Sequence, residues 1–147
     1  MHTRRKILEA IRQNLIAVKE FASVRNTRMT TPSALGNNFP MAVFYADNES
    51  ISTETIHHQP RPQLRQLLLT VRVWIMQHGN DTEYAEKQMD IQSARVETVM
   101  TNDIPYLDDL RLVATDFDAA EEEPLLHSVT LTYQVDYQTT EMQQEPL

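Results

Sequence analysis

The chain has 147 residues, no cysteine, two glycines, 41% hydrophobic residues and a net charge of −8. That length suits one domain with a sizeable core. The composition excludes disulfides, thiolate metal sites and cysteine nucleophiles, and it leaves no glycine-rich loop of the kind that cradles nucleotide phosphates. No apolar run approaches the roughly 20 residues of a membrane-spanning helix, so no membrane partner is expected. Arg4, Arg5 and Lys6 are not followed by an apolar segment of signal-peptide type. The charge is unevenly spread: residues 1–30 carry seven Lys/Arg against two Glu, a net +5, and the remainder a net −13. An acidic body repels phosphates, which argues against general nucleic-acid binding.

In chain order, Ile7, Ile11, Leu15 and Val18 recur at helical spacing and predict a helix over 3–19, with Leu8 and Ala10 widening the stripe. Arg4, Arg5, Lys6, Arg12 and Lys19 lie largely off that stripe. Ordinary solvation explains such a basic set; docking onto an acidic partner through Arg4, Arg5 and Lys6 is the functional reading. A short edge strand is expected around Val24, followed by a loop over 29–38 with Pro32, Gly36 and Asn37-Asn38. Phe39–Ala46 reads as a strand opening just after a proline, Asp47-Asn48 as a turn, and Glu49–Ile56 as a second, more polar strand. His57-His58 are adjacent on an extended segment, point opposite ways and make a poor chelate.

Leu64–Met76 is the longest apolar run and predicts the central strand. Its two faces differ. Leu67, Leu69, Val71, Val73 and Ile75 form a fully apolar set, whereas Gln66, Leu68, Thr70, Arg72, Trp74 and Met76 are mixed. The helices are expected on the apolar face. Leu68, Arg72, Trp74 and Met76 become candidate contacts for a partner, since Trp and Met are enriched at interface cores. Asp81 then caps a helix running to about Thr101, with Glu83 in its first turn and a stripe of Ala85, Met89, Ser93, Val96 and Val99 or Met100. A connector with room for one helical turn after Pro105 leads to a strand over 110–117, and 118–124 reads as an exposed turn. His127–Tyr137 alternates cleanly: Val129, Leu131, Tyr133, Val135 and Tyr137 on one face, Ser128, Thr130, Thr132, Gln134 and Asp136 on the other. Residues 138–147 read as a flexible tail on a single domain of residues 1–137. The fold class is α+β: one mixed, largely antiparallel sheet of about five strands with two helices on one face.

Catalytic chemistry has little to stand on. Asp103, Asp108, Asp109, Asp116 and Asp118 are close in sequence but match no ordered cation-binding loop, and solvated turn residues explain them. No serine sits in a nucleophile elbow. The five histidines fall at ends, turns or strand edges, where exposure is the expectation. No cofactor, metal or catalytic residue is expected.

Several local strings, in order, resemble the tail terminator proteins of long-tailed bacteriophages, the minor tail protein U family of lambda-like phages. They are Phe39-Pro40-Met41-Ala42-Val43-Phe44-Tyr45, the Asp81-capped helix ending Val96-Glu97-Thr98-Val99-Met100, Asp103-Ile104-Pro105 with Leu107 and Asp109-Leu110, and Leu131-Thr132-Tyr133-Gln134-Val135-Asp136-Tyr137. The resemblance implies a structural virion protein made in the host cytoplasm and placed at the head-proximal end of the tail. Such a protein forms a sixfold ring of its own copies, caps the tail tube protein, stops its polymerisation and offers the surface to which the head completion protein attaches. DNA passes through without specific binding. It also implies that the sheet lies toward the lumen, which makes Thr130, Thr132, Gln134 and Asp136 a candidate lumen or subunit surface. Another head–tail connector is the alternative in the same class. A small metal-dependent hydrolase and a nucleic-acid module using Arg4, Arg5, Lys6 and Arg12 are alternatives in others.

Overall fold

The structure, a computed structural model, describes residues 2–28, 32–33, 37–53, 61–101, 103–119 and 125–140. Its elements in order are α1 (Thr3–Ile16), β1 (Ser23–Asn26), β2 (Met41–Thr53), β3 (Pro62–Met76), α2 (Thr82–Met100), β4 (Asp109–Ala119) and β5 (Leu126–Thr140). The strands form one sheet in the order β1-β2-β3-β5-β4. β1 runs parallel to β2, and the other pairings are antiparallel. The expected α+β class, with a mixed sheet and two helices, is the observed one.

β3 is the middle strand of the five and offers a long apolar row to bury between its neighbours β2 and β5. Its full length pairs with β5, from Pro62 opposite Thr140 to Met76 opposite Leu126. Leu67, Leu69, Val71, Val73 and Ile75 are buried in one cluster with Ile7, Ile11 and Leu15 of α1, Met89, Val96 and Met100 of α2, and Val129, Leu131, Tyr133, Val135 and Tyr137 of β5. Burial of each large aliphatic contributes about 1.5–3 kcal/mol before chain entropy is subtracted. Both helices therefore sit on one face, as the pattern of β3 and β5 requires. Asn14 Nδ2 also donates to the Val99 carbonyl at 3.3 Å, tying α1 to the end of α2.

The helix ends follow local chemistry. His2 Nδ1 accepts from the Arg4 amide at 3.0 Å and caps α1. Asp81 Oδ1 accepts from the Tyr84 amide at 2.9 Å and caps α2, with Glu83 favourably placed in the first turn. α1 stops at Ile16, earlier than expected, but a turn still delivers Val18 and Phe21 into the core.

Three expectations need correction. Asp47-Asn48 is not a turn between two strands. β2 is continuous through it, and the register against β3 slips between Ala46 and Asn48. This β-bulge swaps the parity: Ala42, Phe44 and Ala46 face the helices before it, and Glu49 after it. The connector after α2 holds a turn rather than a helical turn, with Tyr106 at φ 74°. β5 runs to Thr140, with Thr139 fully buried, so three residues assigned to the tail belong to the sheet. Residues 54–60, 120–124 and 141–147, which include His57, His58 and the three consecutive glutamates, lie outside the described residues, as does most of 29–38.

Leu69→Ala, at a fully buried position on β3, should lower the unfolding free energy by about 2–5 kcal/mol. Asp81→Ala should lower it by about 0.5–2 kcal/mol. Urea unfolding of both variants at neutral pH checks the ranking; equal losses would mean the core is not organised around β3.

Candidate assembly surface

The densest set of ionisable groups lies on the helix side, under the start of α1. Glu49 Oε2 accepts from Arg4 Nη1 and Arg65 Nη1, each at 2.8 Å. The Tyr137 hydroxyl donates to the other oxygen of the same carboxylate. Arg65 also donates to Thr139 Oγ1 at 2.9 Å and Gln63 Oε1 at 3.0 Å. Arg65 and Glu49 are nearly closed off from water, at 7% and 10% side-chain exposure. A carboxylate with three donors and a guanidinium with three acceptors are satisfied. Such a set holds an element in place and offers no free base or nucleophile. Sequence reading missed it. The signal was Arg65, a charge standing in the same alternate row as Leu67–Ile75.

The sequence-predicted surface residues divide in two. Leu68, Arg72, Thr130, Thr132, Gln134 and Asp136 lie on the sheet face opposite both helices and are half-buried. Pairing brings them together: Leu68 stands opposite Gln134, and Arg72 opposite Thr130. Arg72 Nε donates to Thr130 Oγ1 at 2.8 Å, and Gln134 Nε2 donates to Asp136 Oδ1 at 3.2 Å. Trp74 differs. It is buried at 4% exposure in a small second cluster with Met41, Val43 and Leu126, against which Phe39 and Met76 pack. Its ring supports this face from beneath the Arg72 guanidinium, 5.4 Å away, and is not presented as a contact.

The basic residues expected to dock on a partner are engaged within the chain. Arg4 pairs with Glu49. Arg5 Nη1 lies 2.7 Å from the Asn26 side-chain oxygen once that amide is oriented to satisfy both of its neighbours. The Lys6 ammonium stands 5.4 Å over the Tyr106 ring. Arg5 remains exposed, while Arg4 and Lys6 are half-buried. His127 is a further departure from expectation: it is buried and shares a 2.7 Å hydrogen bond with Gln77 Oε1. The five aspartates of 103–118 do not converge, and among the described residues no three His, Asp or Glu side chains are grouped to hold a metal.

A cleft of about 450 Å³ opens between the end of α2, the connector and β4. Glu97, Met100, Asp103, Ile104, Leu107 and Tyr133 are among its walls. The Tyr133 hydroxyl is buried without a hydrogen-bond partner among the described residues. Burial, and then the Glu97 charge, raise its pKa well above the ordinary tyrosine value. Tyr137 is raised too, by burial first and then by its hydrogen bond to Glu49.

No family model matches this chain, and no curated protein does. Among solved structures, it is similar to a chain of "Virion of native gene transfer agent (GTA) particle", with 14% identity and a TM-score of 0.40, over 89% of this chain and 93% of that one. A likeness of that degree fixes neither a family nor a function. No helix of the described residues is long and apolar enough to cross a membrane.

Two outcomes follow from the buried polar set. Glu49→Ala leaves Arg65 buried without its counter-charge and should cost about 3–5 kcal/mol in urea unfolding. Unfolded tyrosine loses its proton near about pH 10. The folded protein holds the protons of Tyr133 and Tyr137 to higher pH. The native state then binds more protons, so stability is fully present below about pH 10 and falls as the pH rises beyond it. Tyr137→Phe should make that alkaline fall shallower; an unchanged slope between pH values of about 9 and 11 would count against a retained proton.

Proposed function

We propose that this chain is a structural protein of a phage-type virion, acting as one segment of a ring that caps the tail tube. The observation that carries this reading is the inequality of the two sheet faces. The helices cover one, and the other offers Leu68, Arg72, Thr130, Thr132, Gln134 and Asp136 as a continuous, half-buried, mostly polar surface. The strings that resemble those of tail terminator proteins support the specific role. The ionisable cluster around Glu49 is internally satisfied, which favours a mechanical role over a catalytic one.

In this reading the ring works by shape. One rim fits the last ring of tube protein, and the other offers no place for a further tube subunit but does offer one for a head completion protein. The polar sheet face lines the opening or the subunit contacts. An acidic molecule, at −8 per chain, keeps DNA from adhering as it passes.

Sedimentation velocity over a hundredfold range of concentration should show a monomer giving way to one closed oligomer, six copies being expected. Added in excess to polymerising tube protein, that oligomer should stop elongation. Particles made without the protein should carry abnormally long tubes in electron micrographs; tubes of normal length with unjoined heads would favour a head–tail connector instead.

A further inference from the structure

We infer that copies of this chain meet edge to edge, the β1 side of one against the β4 side of the next. The inference deepens the ring reading and rests on it. β1 and β4 are the two ends of the sheet, and they carry opposite charge. Arg25 on β1 is exposed, and no ion pair engages it among the described residues; Lys19, just before the strand, is exposed as well. On β4, Asp116 and Asp118 are exposed on the polar side of the sheet, opposite Thr130 and Ser128, with no cation paired to them among the described residues.

The acidic edge also has apolar surface to cover. Phe117 is 54% exposed and Val113, at the bulge of β4, 48%. An edge strand with unpaired backbone groups and exposed apolar side chains is open to pairing with another chain. The cleft beside this edge, with Leu110 and Leu112 of β4 in its wall, holds the unpartnered Tyr133 hydroxyl and the Glu97 and Asp103 carboxylates. These groups fit a cationic side chain with an apolar stem such as Lys19, while Asp116 and Asp118 share the opposite face with Arg25.

The partner is a second copy because one chain carries both halves of the match and cannot join them itself. Five strands at about 4.8 Å spacing hold the edges roughly 19 Å apart. Complementary patches on opposite edges make a head-to-tail contact, which leaves a free edge at each end until the assembly closes.

Charge reversal tests the match at exposed positions where folding is not at stake. Arg25→Glu and Asp116→Lys should each weaken self-association about tenfold or more by sedimentation velocity, with unchanged thermal midpoints. Arg25→Glu and Asp116→Lys combined in one chain should restore association, since each edge again meets its opposite. Phe117→Ala should weaken it without any dependence on salt. If wild-type protein assembles and the single reversals assemble equally well, the edge contact is wrong while the ring stands. If both singles fail and the double is not restored, the two edges do not face each other. If Asp116→Lys abolishes only the arrest of tube growth, the acidic edge belongs to the tube protein. A wild type that stays single at every concentration overturns the ring and this contact with it.

Discussion

Two helices cannot cover both faces of a five-stranded sheet, and most of this molecule is a consequence of that shortage. α2 lies over the lane of β3 and β5, where Leu69, Val71, Leu131 and Val135 are fully buried, and α1 lies beside it toward β1. Leu68, Arg72, Thr130, Thr132, Gln134 and Asp136 lie on the opposite face, outside that cover. That face must therefore be compatible with water or with another protein. The alternation of β5 meets the demand residue by residue, with Thr130, Thr132, Gln134 and Asp136 between Val129, Leu131, Tyr133, Val135 and Tyr137. The cover also runs out sideways, which leaves Phe117 exposed on the helix side of the outermost strand.

At the far end of β2 and β3 the core gives way to charge. Glu49 joins Arg4 of α1, Arg65 of β3 and Tyr137 of β5, so one carboxylate binds three elements. A buried ion pair recovers its desolvation cost only with good geometry and full hydrogen bonding. Here both conditions hold, and the gain is chiefly one of register. A one-residue slip of β2 would turn Glu49 to the polar face and leave Arg65 alone beneath α1. The bulge at Asp47 and this cluster are thus one device: the bulge turns Glu49 inward, and the cluster holds the bulge where it is.

The parts of the fold legible in the sequence are those where a single period persists. β3 and β5 alternate without a break, and α1 and α2 keep their stripes, so the buried faces and the Asp81 cap of α2 followed from pattern alone, whereas the His2 cap and the pairing of β3 with β5 did not. What was hidden lies where the period changes. Asp47-Asn48 has turn composition, and a bulge inside a strand has the same composition; only the pairing partner distinguishes them. His127 and Gln77 satisfy each other from neighbouring strands, which neither local sequence records. The open-face residues were legible as a row because β5 is regular. The burial of Trp74 was not, because it depends on Met41 and Val43, which reach that face through the pairing of β2 with β3.

Charge adds a last constraint on how such a molecule can associate with itself. Each copy carries −8, so any approach begins with repulsion. In physiological salt that repulsion is screened beyond about 8 Å, whereas charges brought together at a contact are much less affected. Association between like-charged copies then requires that the few cations be concentrated where contact occurs. The +5 of residues 1–30 is partly taken up by pairs within the chain, Arg4 on Glu49 and, at the surface, Arg28 on Asp47. Lys19 and Arg25 remain on the outside near β1, at the opposite end of the sheet from Asp116 and Asp118. On the proposed edge contact, this unequal distribution would give the copies a direction in which to meet.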